Sequence, residues 1–142
     1  VKKYEILTFP EYSDERGSLV PFEFSSLPFT PANAYLVTAA EGAVRGGHSH
    51  AIEQEIFLVT NGSVTLVVND GSCDDEILLD TKTKGVLVKT DCWHELKNFS
   101  AGAVVLALSS TPYLPGETNY LTDKTEFLRR AEPGLCPSQL ER

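Results

Sequence analysis

"GAVRGGHSHAIEQEIFLVTNG", from Gly42 to Gly62, sets two histidines one residue apart, follows them with a carboxylate, and closes on an apolar run and a turn. Five residues separate Gly42 from His48, one separates His48 from His50, four separate His50 from Glu55, and six separate Glu55 from Gly62. In a β-strand, side chains two residues apart share a face, so His48 and His50 project together. Glu55 reaches the same side after a local bend or a change of strand. Three such nitrogen and oxygen donors converging inside a barrel are a typical site for a first-row metal, and the same imidazoles can move protons near neutral pH.

The third and last histidine, His94, lies in "GVLVKTDCWHELKN", 44 residues beyond His50. A barrel brings distant strands onto one interior, which makes His94 a candidate fourth ligand. Around these segments, apolar and β-branched residues come in short runs: "SLVPFEF", "NAYLVTA", "EIFLVTN", "SVTLVVN", "DEILLD", "GVLVK" and "AVVLALSS". That rhythm predicts an antiparallel all-β sandwich or barrel. "NDGS" at Asn69 to Ser72 predicts a hairpin tip, because Asp-Gly supplies the positive φ angles of a tight turn, and a further turn is predicted at Asn61-Gly62. "DKTEFLRRA" is the one helical pattern, with Asp123 as N-cap and Phe127 and Leu128 packing one face.

One domain over residues 1–131 and an irregular tail over 132–142 ("EPGLCPSQLER") are expected, with no internal repeat. A chain of 142 residues with 42% hydrophobic content can bury a core without staples. Cys73, Cys92 and Cys136 are odd in number and lack a CxxC pair, so they are read as free thiols. A net charge of −8 opposes nucleic acid and anionic membranes as partners, and an anionic substrate would need a local basic patch. No apolar run has the length of a membrane helix and the N-terminus lacks the apolar core of a secretory signal, so a cytoplasmic location is expected. "KKYEILTFP" is read as a lone N-terminal strand that pairs with another subunit to cover an exposed edge, predicting a homodimer.

The histidine pattern resembles the cupin superfamily, whose first motif, G-x5-HxH-x3,4-E-x6-G, is complete at Gly42, His48, His50, Glu55 and Gly62. The second motif is looser: Gly85 and His94 stand two residues closer than the usual form, and Asp91 and Trp93 replace the expected proline and glycine. The resemblance implies a cupin jelly-roll β-barrel with a short C-terminal helix.

A narrower likeness rests on "DERGSLVPFEF", "LPFTPANAYLV", "GAVRGGHSH", "NGSVTLVVNDG", "KGVLVKTDCWHELKNFS" and "YLPGETNYLTDKTEFL". In order and spacing, over roughly residues 3 to 128, these are similar to the WxcM/FdtA/QdtA-type sugar 3,4-ketoisomerases. That resemblance implies a dimeric enzyme that moves a carbonyl between C4 and C3 of a nucleotide-linked 4-keto-6-deoxyhexose, usually carried on dTDP, through an enediol. It places His48, His50, Tyr35 and Arg45 at the catalytic centre. Such chemistry needs a base, an acid and a group that stabilises oxyanion charge. From the residues themselves, Arg45 can pair with a phosphate or a substrate oxygen, Asn33 is a further candidate for substrate contact, and Trp93 is either a pocket wall or a core residue.

Three positions depart from that family. Asn33 stands where an arginine is expected, Ala51 where a lysine is, and Glu55 where a glutamine is. Glu55 restores a full cupin ligand set, His48, His50, Glu55 and His94, suited to one divalent ion of Mn, Fe, Ni or Zn rather than Mg, with no organic cofactor. Two function classes follow: the sugar isomerase, or a metal-dependent cupin of another reaction type, such as a dioxygenase or a non-sugar isomerase. A binding module without turnover is a third. Nucleotide, sugar and product stereochemistry are not set by the sequence.

Overall fold

The apolar runs between turns become strands. A computed structural model describes residues 2–113 and 119–131. In chain order the elements are β1 (Tyr4–Thr8), β2 (Tyr12–Asp14), β3 (Gly17–Leu19), a 3-10 turn (Phe24–Ser26), β4 (Asn33–Val37), β5 (Arg45–His50), β6 (Glu55–Asn61), β7 (Val64–Asn69), β8 (Asp74–Leu79), β9 (Lys84–Val88), β10 (Trp93–Lys97), β11 (Val104–Ser109), β12 (Tyr120–Leu121) and α1 (Lys124–Arg130). Two five-stranded sheets form, ordered β1-β9-β6-β11-β4 and β12-β5-β10-β7-β8, beside a small β2–β3 hairpin. From β4 to β7, and again from β8 to β12, each strand crosses to the sheet opposite its predecessor. This is the antiparallel jelly-roll class expected, although the two sheets stay separate instead of closing into one continuous barrel.

Direct cross-strand partners share a face, so the register shows which side chains look inward. In the first sheet Tyr4, Val88, Glu55, Ser109 and Asn33 form one row, and Ile6, Val86, Phe57, Ala107 and Tyr35 the next. In the second sheet His48, His94, Val68 and Asp75 form a row. Behind these rows the sheets pack through a shared core that includes Val59, Val64, Leu66, Leu79 and Val105. Each such side chain, fully buried, contributes about 1.5–3 kcal/mol. Polar residues collect toward one end of the apolar layer, and that end holds the site.

"EIFLV" is buried at every position, not at alternate ones. Ile56, Leu58, Leu87 and Leu108 face away from the shared core into a second cluster, closed by Phe9, Val20, Phe22, Leu27 and Phe29. The run "SLVPFEF" was expected as a strand, but its ladder stops at Leu19. Pro21 has no N–H for a ladder, and the segment serves as the cover of the first sheet.

Both predicted turns form. At the β7–β8 tip Asn69 accepts from the Gly71 N–H at 2.7 Å and pairs with Asp74 across the ladder. At Gly62, φ is +71° and an added Cβ would lie 2.9 Å from the Ala103 Cα, so only glycine fits where the chain crosses between sheets. Asp123 caps α1 by accepting from the Glu126 N–H at 3.2 Å. Phe127 is buried as expected, whereas Leu128 is 43% exposed, because the helix presents too narrow a face to cover both. β1 also departs from expectation. It pairs along its whole length with β9 of its own chain, which removes the unpaired strand from the case for a dimer. No helix among the described residues is long and apolar enough to cross a membrane. Cys136 and the 132–142 tail lie outside the described residues.

Candidate active site

Two glycines aim the histidine strand. Gly46 and Gly47 have φ of +78° and +76°, at the point where the β5–β10 register shifts between His94 and Glu95. A Cβ on Gly46 would lie 3.1 Å from the His94 carbonyl oxygen, so the close approach needs its absence. Beyond this bulge His48 pairs directly with His94, and His50 pairs with Tyr120 of β12. The chain then crosses to the first sheet. The crossing is held by Ala51 N–H on the Asn119 carbonyl at 2.9 Å and by Asp91 N–H on the His50 carbonyl at 2.8 Å. β6 therefore begins with Glu55 opposite the imidazoles.

The three histidines form one cluster. Ring centroids lie 4.6 Å apart for His48 and His50, 4.7 Å for His48 and His94, and 5.3 Å for the stacked His50 and His94. Tyr120 closes one side, 4.6 Å from His50 and 4.9 Å from His48, and Phe57 lies against His94. Glu55 bridges the rings, with Oε1 3.5 Å from His50 Nε2 and Oε2 3.3 Å from His94 Nε2. Tyr35 donates to Glu55 Oε1 at 2.5 Å. His50 Nε2 and Glu55 Oε2 are nevertheless buried without an aligned hydrogen bond.

Behind His50 is a second carboxylate. Glu53 Oε2 lies 3.1 Å from His50 Nδ1 and accepts from Asn119 Nδ2 at 3.0 Å, while Oε1 accepts from the Ser109 hydroxyl. Among the described residues two triads have ligand atoms within 4.8 Å of one another: His48, His50 and His94, and His50, Glu53 and Glu55. The expected four-ligand set is thus divided, with Glu55 joined to it through His50 and His94.

Burial, then the neighbouring His94 and His50 rings, lower the His48 pKa to about 3, so its imidazole is neutral at physiological pH. Burial pushes the Glu55 carboxyl up, but the close His50 and His94 ring nitrogens outweigh it and hold the group well below the usual carboxylate range. Burial and the Glu55 charge keep Tyr35 protonated far above the ordinary phenol value. Tyr120 is also raised, by burial and by Glu53 and Glu55. Burial raises the nearby Cys92 thiol to about 12, which makes it unreactive.

His48, His50, His94, Glu55 and Tyr35 are therefore brought together. Asn33 shares the inward row of Glu55 and Ser109, at the edge strand. Arg45 is exposed at the start of β5 and donates to the Thr38 carbonyl at 3.2 Å, outside the histidine cluster. Trp93 is not brought to the site. It faces away from His94, donates to Glu95 at 2.9 Å and packs 5.7 Å from the Phe127 ring. The sequence reading did not single out Glu53, Ser109, Asn119 or Tyr120. Glu53 sits inside the quoted motif but between its fixed positions, and the other three come from strands or loops with no metal-ligand spacing.

A histidine pair flanked by carboxylates on a two-sheet jelly roll defines a cupin-type site. A family model described as "FdtA: WxcM-like, C-terminal" matches residues 2–132. The chain belongs to that family. It is 32% identical over 125 residues to the TDP-4-oxo-6-deoxy-alpha-D-glucose-3,4-oxoisomerase of Aneurinibacillus thermoaerophilus, covering 87% of this chain and 88% of the relative. A 3,4-ketoisomerase of Helicobacter canadensis superposes with a TM-score of 0.82 at 35% identity, over 89% of this chain and 95% of that one. A mutant of the 3,4-ketoisomerase QdtA of Thermoanaerobacterium thermosaccharolyticum, in complex with TDP-4-keto-6-deoxyglucose, gives a TM-score of 0.85 at 25% identity, over 92% and 95% of the two chains.

Proposed function

We propose that this chain is an isomerase that moves the carbonyl of a TDP-linked 4-keto-6-deoxyhexose from C4 to C3 through an enediol. The observation that carries the reading is the pair His48 and His50, two imidazoles 4.6 Å apart beside the buried Glu55 carboxylate. The relatives named above support it over the dioxygenase alternative. The reaction requires a proton to leave C3 and one to reach C4, while a second proton passes from O3 to O4. No electrons leave the sugar, so two proton carriers suffice. His48, half-buried and held neutral, is a hydrogen-bond partner for the substrate oxygens. His50 lies behind it within reach of adjacent substrate atoms. Tyr35, kept protonated, gives its one O–H to Glu55, and turning that O–H from the carboxylate to substrate would make it a donor toward developing oxyanion charge. Arg45 and Asn33 are assigned to the nucleotide-sugar end, Arg45 through its planar fork. In D2O the enzyme should place deuterium on carbon of the recovered TDP-4-keto-6-deoxyglucose and its 3-keto product. Recovery of unlabelled substrate alone would reject the activity.

The site also fits a divalent transition metal, because three imidazoles converge and two buried polar atoms, His50 Nε2 and Glu55 Oε2, make no aligned hydrogen bond. His48, His50, His94 and Glu55 would hold Mn, Fe, Ni or Zn, and the ion would supply Lewis-acid stabilisation of a carbonyl oxygen. Glu55→Gln keeps the size of the side chain but removes its charge. In this reading, it lowers metal affinity by about tenfold or more, measured by elemental analysis of dialysed protein. Unchanged metal content in that variant would remove Glu55 from the ligand set, and absence of metal from native protein would leave the imidazoles as the only catalysts.

A homodimer is retained on the family resemblance, with the outward-facing, exposed Leu36 of edge strand β4 as a feature a partner would cover. A cytoplasmic location suits an activated sugar nucleotide as substrate.

A further inference from the structure

We infer that Glu53 is a positioning residue for His50: its buried carboxylate accepts from Nδ1–H, fixes the ring's tautomer and leaves Nε2 as the nitrogen that meets substrate. The inference deepens the isomerase reading and rests on His50 as a proton carrier. Glu53 is 5% exposed, and a carboxylate so buried needs donors around it. Ser109, which is fully buried, supplies one to Oε1. Asn119 Nδ2 supplies another to Oε2 at 3.0 Å. The Asn119 amide cannot be reversed without loss, because its Oδ1 accepts from the Ile52 N–H at 3.3 Å. The third neighbour of the carboxylate is His50 Nδ1, at 3.1 Å.

Asn119 Nδ2 also lies 3.2 Å from His50 Nδ1 and could donate to it, which would make Nδ1 an acceptor. The Nδ1 lone pair would then face the carboxylate oxygen at 3.1 Å. As the ring stands only the Asn119 contact is aligned as a hydrogen bond, but a hydrogen bond to an ionised acceptor is roughly twice as strong as a neutral one, so a small turn of the ring that lets Nδ1 donate to Glu53 is favoured. On the other side of the ring Nε2 is 3.5 Å from Glu55 Oε1 and makes no hydrogen bond. The first proton on the ring therefore sits on Nδ1, and Nε2 is left open. When Nε2 accepts a proton from substrate, the imidazolium that forms is already paired with Glu53, and little has to reorganise. The same carboxylate–histidine contact would orient His50 if it bound a metal.

Two measurements test this on the full chain. Ring nitrogen NMR of 15N-histidine-labelled native protein should show neutral His50 protonated at Nδ1. The Glu53→Gln variant, checked for folding by circular dichroism, should lose that preference and lose kcat by about 10- to 100-fold with KM unchanged. Glu53→Asp should recover part of the loss. His50 protonated at Nε2 in native protein, or native kcat in folded Glu53→Gln, overturns the inference. Should Glu53→Gln fail to fold, the native tautomer decides alone. If native protein does not isomerise TDP-4-keto-6-deoxyglucose, the functional reading fails, and the tautomer measurement still decides the role of Glu53.

Discussion

Substituting His50→Asn lowers isomerisation of TDP-4-keto-6-deoxyglucose by about 100- to 10,000-fold, the range supplied by a positioned acid or base. Asparagine keeps a polar group near Glu53 and Asn119, so their buried oxygens and amide are not simply stranded. It cannot take up and return a proton. Carbon-bound deuterium exchange and formation of the 3-keto sugar should fall together, because both need proton transfer at carbon. Binding of TDP alone should be retained, which separates lost chemistry from lost structure. The loss is expected whether the imidazole acts directly or also ligates a metal. Unchanged turnover in a folded His50→Asn protein would mean that the cluster is not the reaction centre.

The part of this site that was legible in the sequence is the part set by strand periodicity. His48 and His50 share a face because they are two apart, and "EIFLVTN" is β6 residue for residue. The same rule shows why Trp93 fails as a pocket wall: it is adjacent to His94 in β10, so it must lie on the other face, where Phe127 covers it. Glu53 was hidden because it lies in the crossing between sheets, where no period applies. Its partners, Ser109 and Asn119, are 56 and 66 residues further along the chain. The β1–β9 pairing was hidden for a similar reason, since its partner strand begins some 80 residues away and no local signal selects it. A strand that looks unpartnered in sequence is only unpartnered locally.

The depressed His48 pKa makes the fold sensitive to mild acid. In the unfolded chain this imidazole takes a proton as pH falls below its ordinary value of 6.5, while in the native protein it stays neutral down to about 3. Between those values the unfolded state binds more protons, so stability is full above 6.5 and is lost as pH falls through the interval. The ceiling is about 1.4 kcal/mol for each pH unit, or some 4–5 kcal/mol over the whole interval. His48 is only half-buried, and solvent screening brings the expected loss to about 2 kcal/mol. Glu55 acts in the same direction but lower. Its native pKa lies below the unfolded value, so its contribution is present above roughly pH 4.3 and is lost as pH falls further. The two groups are separable by window. Urea unfolding in the presence of a chelator, followed from pH 7 to pH 4.5, should show a downward slope that is flattened in His48→Asn, where nothing replaces the imidazole as a proton acceptor. Below about pH 4.3 Glu55 adds the same further loss to both proteins, and the difference in slope between them persists until about pH 3, where native His48 itself takes a proton. An equal slope in the two proteins above pH 4.5 would show that His48 is not the group held neutral at the mouth of the site.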